Sequence, residues 1–269
     1  MTRNEIPLST DRMLAYTEDG VGWMVFNNPE RLNAVTFAMK LAIPAILEQF
    51  EANPEVLVIV ITGAGDRSFV SGADITEFGT RRSTPEQIEE YDRVTDRMWD
   101  CLADLKKPLI ALMRGFALGG GLETALRADI RIAAENAEFG IPAVKIGLGF
   151  SYHNTEELLH AMGAAHTAEM LLTGRRFSAS EALAVGLVNR VVPSAEIEQV
   201  VRALAVEIAG NAPLAVALVK ANMREARRPE HERDLEALAR QAAACYASED
   251  YAEGRRAFSE KRQPKFAGR

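Results

Sequence analysis

The chain has 269 residues, 48% hydrophobic and 26% charged, the composition of a globular protein with a sizeable core and one or two domains. A formal net charge of −7 excludes a broad basic field for nucleic acid or an anionic membrane, so an anionic ligand must rely on local Lys, Arg and backbone N–H groups. Two distant cysteines (Cys101, Cys245) and four dispersed histidines (His153, His160, His166, His231) predict reduced thiols, a cytoplasmic setting and no metal site.

The opening "MTRNEIPLSTDRML" lacks an apolar h-region, and no apolar run is long enough to span a bilayer, so neither export nor membrane insertion is expected. "VGWMVF" (21–26) reads as a strand. "TFAMKLAIPAILEQFEA" (36–52) predicts an amphipathic helix bent at Pro44. "VLVIVITG" (56–63) is a continuous β-branched run, the pattern of a strand buried on both faces. Residues 83–108 open with Thr84, Pro85 and Gln87, a capping-box start, and predict a helix that stops before Pro108. "LIALMRG" (109–115) and "DIRIAAE" (129–135) read as strands on either side of a "GGGLETALRA" helix. From about Glu156 the chain reads as nearly all helix, including 178–189 with a Ser178–Glu181 capping box and Gly186 as its C-terminal cap. Helices over 194–210, from Pro213 and from Glu232 follow. Strand–helix–strand spacing predicts an α/β fold with crossover connections, and no linker interrupts it.

Glycines stand where strands end, in "SFVSGADITEF" (68–78) and "RGFALGGGLETAL" (114–126). Such turns let backbone N–H groups face a crevice, and a helix N-terminus adds unpaired N–H groups and a positive dipole end. Two N–H groups aimed at one point stabilise an oxyanion such as a thioester enolate. The same glycines serve equally as tight turns, and Glu123 equally as a first-turn acid favoured by the helix dipole. Neither GxGxxG nor GxxxxGK[ST] appears in context, which argues against dinucleotide and P-loop sites.

Taken together, five segments in order resemble the crotonase family, also called the enoyl-CoA hydratase/isomerase family. They are "NNPERLNAVT" (27–36), "FVSGADITEF", "GFALGGGLETALRADIRIAAENAEFGIPAVKIGL", "GRRFSASEALAVGLVNRVVP" (174–193) and "SEDYAEGRRAFSEKRQPKF" (248–266). The resemblance implies a superhelix of repeated ββα units over 1–192. A helical region over 193–269 would serve trimerisation and part of the ligand site. It implies an acyl-CoA thioester substrate, with coenzyme A part of the substrate and no separate cofactor. A homotrimer or dimer of trimers is expected, with no nucleic acid or membrane partner. The oxyanion donors map onto Ala73 and Gly120, with Gly72, Asp74, Ile75 and Gly119 beside them. Arg31 and Ala34 fall in the segment that meets the CoA nucleotide, and Phe258 and Lys261 where the family's tail reaches a CoA site, often a neighbour's. A surface charge is the other reading of Arg31 and Lys261.

The family's hydratases use two glutamates. The resemblance places the first at Glu123, where it would activate water. The second ends an "FGxPE" motif that here reads "FGIPA", so alanine at 143 follows Pro142 in the α-proton donor's place. The family's glycine-rich "PGAGG" is replaced by "FSYHN" (150–154). Tyr152 and His153 arrive with it, either as a replacement proton-transfer group or as a helix cap lining the acyl pocket, the second reading being preferred; Glu156 and Glu157 lie just beyond. The expected function is an acyl-CoA enzyme working through a thioester enolate, first an enoyl-CoA hydratase. An isomerase or decarboxylase of the same family is the alternative, and a non-catalytic acyl-CoA-binding protein the reading from another class.

Overall fold

The structure, a computed structural model, describes residues 3–269; Met1 and Thr2, the start of the stretch read for export, lie outside the described residues. The chain opens with β1 (Asn4–Glu5), β2 (Met13–Glu18) and β3 (Val21–Phe26), an antiparallel ladder. Helix α1 (Phe37–Ala52) follows, then β4 (Val58–Gly63), β5 (Ser68–Val70), the short α2 (Phe78–Arg81) and α3 (Pro85–Ala103). Next come β6 (Leu109–Met113), β7 (Phe116–Leu118), α4 (Gly120–Leu126), β8 (Ile130–Ala134) and β9 (Glu138–Gly140). Helix α5 (Tyr152–Thr173), broken at Gly163, leads to β10 (Phe177–Ser178), α6 (Ala179–Ala184) and β11 (Arg190–Val192). Four helices end the chain: α7 (Ile197–Ala209), α8 (Pro213–Arg227), α9 (Leu235–Ala247) and α10 (Glu249–Glu260).

The strands form two sheets, seven strands in the order β1-β2-β3-β4-β6-β8-β11 and four in the order β10-β9-β7-β5. Three successive units, β4-β5-α3, β6-β7-α4 and β8-β9-α5, each place one strand in the large sheet and one in the small sheet before a helix. This is the α/β fold of repeated ββα units expected from the resemblance. The small sheet is not visible as strands in the sequence. Its members have two or three residues, too few for periodicity, and they lie in segments that read as glycine turns.

The β-branched run works as its pattern demands. Ile59 and Ile61 point into the core shared with α1 and the small sheet, while Val58 and Val60 point into a second cluster on the opposite face. That second face is covered by α7, whose Ile197, Val201 and Ala205 recur every four residues and are fully buried. Ile197 and Val201 each contribute on the order of 1.5–3 kcal/mol by leaving water. The first helix after the 192/193 boundary thus completes the core of the sheet.

Local signals are satisfied with two adjustments. Helix α1 runs unbroken through Pro44, and the Ser178–Glu181 capping box is formed, with Gly186 just past the end of α6 at a φ of +80°. Thr84 caps α3 through Gln87 N, but the Gln87 side chain accepts from Ser83 N, one residue short of a closed box. Helix α3 ends at Ala103, five residues before Pro108. Among the described residues, no single helix is long and apolar enough to cross a membrane.

Candidate active site

The site is built from the ends of three neighbouring parallel strands. Val70 of β5 pairs with Ala117 of β7, and Leu118 of β7 pairs with Gly140 of β9. Ala73, Gly120 and Ala143 each follow one of these strands by two or three residues. Ligand crevices in parallel sheets open at such strand ends.

Beyond β5 the chain is stitched to the 31–36 segment. Val35 N donates to Gly72 O (2.8 Å), and Asp74 N donates to Val35 O (2.9 Å). Successive N–H groups of an extended segment alternate in direction, so Ala73 N–H points away from Val35. Asp74 Oδ1 accepts from Thr76 N (3.0 Å) and Thr76 Oγ1 (2.6 Å) and pairs with Arg31 (3.6 Å). Glu77 Oε2 accepts from Phe37 N (2.7 Å), which ties the same loop to the start of α1.

Beyond β7, Gly119 N donates to Gly140 O (2.8 Å), and a φ of +51° at Gly119, unfavourable for a residue with a Cβ, turns the chain into α4. Gly120 is the first residue of that helix, so its N–H has no intrahelical acceptor. At Gly121 an added Cβ would lie 2.0 Å from Val70 O, so α4 is pressed directly against β5. Among the described residues, neither Ala73 N–H nor Gly120 N–H donates to a protein group. A Cβ built on Gly120 would meet no atom within 4 Å, so this position borders open space.

Glu123 lies one turn into α4, three residues after Gly120, and positions three apart share a helix face. It is 7% exposed. Burial pushes its carboxyl up to about 7, against the opposing attraction of Arg127 and Lys40. Its Oε2 accepts from Asn154 Nδ2 (3.0 Å), and Asn154 Oδ1 accepts from Arg127 Nη2 (3.1 Å). Arg127 also lies beside Glu157 (3.4 Å), which pairs with Arg227 of α8. Lys40 of α1 is buried, donates to Thr95 Oγ1 (2.6 Å) and sits 3.7 Å from the centre of the Tyr91 ring. Burial pulls its ammonium down to about 7.

The other expected site residues divide into those near these strand ends and those away from them. Pro142 opens a 3-10 turn (Pro142–Ile146), and Ala143 is partly buried against the core, a methyl group with no proton to transfer. Ala34 is buried with both backbone groups used, its N–H by Arg31 O and its C=O by Asn28 Nδ2. Arg31 and Ile75 are exposed on the same loop pair. Tyr152 is 81% exposed and His153 is exposed, and the helix cap expected of them is supplied by Ser151, whose Oγ accepts from Asn154 N. Phe258, 88% exposed, lines a hollow with Ala212, Cys245, Tyr251 and Phe266, and Lys261 ends α10. No residue of 71–75 or 119–123 lines that hollow.

Sequence reasoning does not single out Asn154, Arg127 or Lys40. A signal is present for Asn154: it shares the stripe of Leu158 and Met162, both buried, four and eight residues on. A polar residue on an apolar stripe must find a polar partner. Asn28 and Asn33 are also missed; they close the 27–36 loop, with Asn33 Nδ2 donating to Ala64 O (3.0 Å) and Ser68 O (2.7 Å).

A family model described as enoyl-CoA hydratase/isomerase matches residues 16–269. The chain is 32% identical to a short-chain-enoyl-CoA hydratase of Clostridium acetobutylicum over 256 residues, covering 95% of this chain and 97% of that one. It is 34% identical to a crotonyl-CoA hydratase of Syntrophomonas wolfei over 259 residues, with 96% and 99% covered. Among solved structures, an enoyl-CoA hydratase/carnithine racemase from Magnetospirillum magneticum superposes with a TM-score of 0.92 at 35% identity, with 97% of each chain covered. With strand ends, glycine turn and buried acid in the order of the family's segments, the chain belongs to the enoyl-CoA hydratase/isomerase, or crotonase, family.

Proposed function

We propose that the protein is an enoyl-CoA hydratase that adds water to a 2-enoyl-CoA with Glu123 as its single proton-transfer group. The observation that carries this reading is a buried carboxyl, held near neutral pH, one helical turn from the Gly120 N–H. The names of the Clostridium and Syntrophomonas relatives support the substrate class.

In this mechanism the thioester oxygen accepts from the N–H groups of Ala73 and Gly120, which polarise the conjugated double bond. Ionised Glu123 takes a proton from water as the water oxygen bonds to Cβ. The C=C electron pair moves toward the carbonyl, and the enolate charge rests on the oxygen held by the two donors. Protonated Glu123 then returns that proton to Cα, and the carboxylate is restored. One H and one OH are added, and nothing is left over. Cα and Cβ are adjacent atoms, so one carboxyl on one face reaches both.

Coenzyme A enters as part of the substrate, and no separate cofactor takes part. Arg31 and the 31–36 segment meet its nucleotide, and Phe258 and Lys261 reach it from a neighbouring copy in a homotrimer or dimer of trimers. The region 193–269 supplies that assembly.

The test is hydration of crotonyl-CoA, followed by loss of the conjugated thioester absorbance. The parent hydrates it, and Glu123→Gln lowers turnover by roughly two to four orders of magnitude while thermal-shift binding of crotonyl-CoA is retained. No hydration by the parent, with 3-enoyl-CoA consumed instead, refutes the hydratase and indicates the isomerase. Binding without turnover of either refutes an enzyme.

A further inference from the structure

We propose that Asn154 is a positioning residue of this site: held by Arg127, it donates to Oε2 of Glu123 and leaves Oε1 as the oxygen that exchanges a proton with water and substrate. The inference rests on the reading of Glu123 as the site's acid and deepens it.

The chemistry of the partners fixes the direction of every bond in the chain. A guanidinium only donates, so the Asn154 atom 3.1 Å from Arg127 Nη2 must be the amide oxygen. The amide nitrogen then faces Glu123 Oε2 at 3.0 Å, and it only donates. The amide cannot flip without opposing its nitrogen to Arg127, so Oε2 is permanently an acceptor. A proton on Glu123 is therefore carried by Oε1.

The groups around Glu123 leave no rival for this role. Arg127 approaches from the same helix, Lys40 from α1, and Asn154 from α5. Glu157 and Arg227 act through Arg127, from α5 and α8. On α3, Asp100 acts on Arg127. Asp96 is faced by Lys40 and His153. Lys40 is committed to Thr95 and the Tyr91 ring, and the described hydrogen bonds to the Glu123 carboxyl come from Asn154 alone. Asn154 lies in "FSYHN", the stretch that replaces the family's glycine run, eleven residues after the alanine in the second acid's place. The amide is neutral, so it orders Glu123 without adding a charge to compete for the proton.

An infrared titration reads Glu123 directly, through the protonated-carboxyl band that disappears in Glu123→Gln. It needs no substrate. The Ser151 Oγ bond to the Asn154 backbone N–H survives a side-chain change, so helix α5 keeps its start in the variants. Asn154→Asp places a second carboxylate at hydrogen-bond distance, and despite its pairing with Arg127 it should raise the Glu123 midpoint by on the order of one pH unit or more. Asn154→Ala removes a donor to the charged form and raises the midpoint less. In both, the acid limb of the hydration pH profile moves by the same amount while KM for crotonyl-CoA changes little. A purely structural Asn154 would lower the melting temperature and leave midpoint and limb in place, which overturns the proposal. If neither variant folds, the unmodified protein decides: the Asn154 side-chain amide signals in ¹⁵N NMR must titrate with the Glu123 midpoint, and independence refutes the contact. A moved midpoint in a protein that does not hydrate crotonyl-CoA supports the positioning role and refutes only the hydratase reading.

Discussion

Replacing Glu123 by Gln isolates the cost of holding a carboxylate in the site. Burial lifts the group from 4.5 to about 7. At about 1.4 kcal/mol per pH unit, this corresponds to roughly 3 kcal/mol. The folded state binds this proton more tightly than the unfolded chain, so the contribution is present at low pH and lost as pH rises toward 7. By pH 8.5 both states are ionised and the folded state carries the whole penalty. Gln has the shape of the protonated acid, and its amide oxygen accepts the same bond from Asn154 Nδ2. The variant should therefore exceed the parent by about 1 kcal/mol or less at pH 5 and by roughly 3 kcal/mol at pH 8.5. Denaturant titrations at the two pH values, at one protomer concentration, measure the difference. A Glu123→Gln protein no more stable than the parent at pH 8.5 refutes the claim that burial governs this carboxyl. The expected result couples gain and loss, since a change that stabilises the protein at pH 8.5 abolishes its proton transfer.

Ala143→Glu should raise crotonyl-CoA hydration, because it puts a second acid just past the end of β9, the strand paired with β7. It should also cost about 1–3 kcal/mol for a partly buried carboxylate; a folded, binding-competent variant no faster than the parent refutes it. Light scattering at micromolar concentration should give the mass of three or six chains, because Val219, Met223, Leu235, Tyr246 and Phe258 leave apolar surface on α8 to α10; a single-chain mass refutes this.

What was legible in the sequence follows from the length scale of each signal. The run at 56–63 announces a strand buried on both faces because six consecutive residues carry it, and the α/β crossovers follow from the spacing of such runs. The small sheet hides because three-residue strands show no period, yet Ala73, Gly120 and Ala143 each follow one of its neighbouring strands by two or three residues. Those positions are legible in the order of whole segments rather than in local pattern. The amide beside Glu123 is 31 residues away in sequence, and the arginine that orients it is 27 residues from that amide, so the local pattern marks Asn154 as a polar residue on an apolar stripe and names neither partner. Tyr152 and His153 drew attention by their chemistry, but the helix start turns them outward and Asn154 inward.

The changes at 143 and 154 bear on each other. In a two-acid site, a neighbouring carboxylate keeps one group protonated by repulsion. Here alanine supplies no such repulsion, and desolvation alone lifts the remaining acid to about 7. Desolvation raises a pKa without giving the proton a preferred oxygen, and a carboxyl that holds its proton on either oxygen serves a single-acid mechanism poorly. Asn154 removes that ambiguity by occupying Oε2. On this mechanism the proton taken from water has one place to rest and one face of the substrate to return to. Addition is then syn, and release of the Cα proton is tied to loss of water from Cβ because no second acid is present to exchange it separately. On the proposed reading, alanine at 143 leaves the site one group to handle its proton, and the amide at 154 would keep that path in register with the enolate.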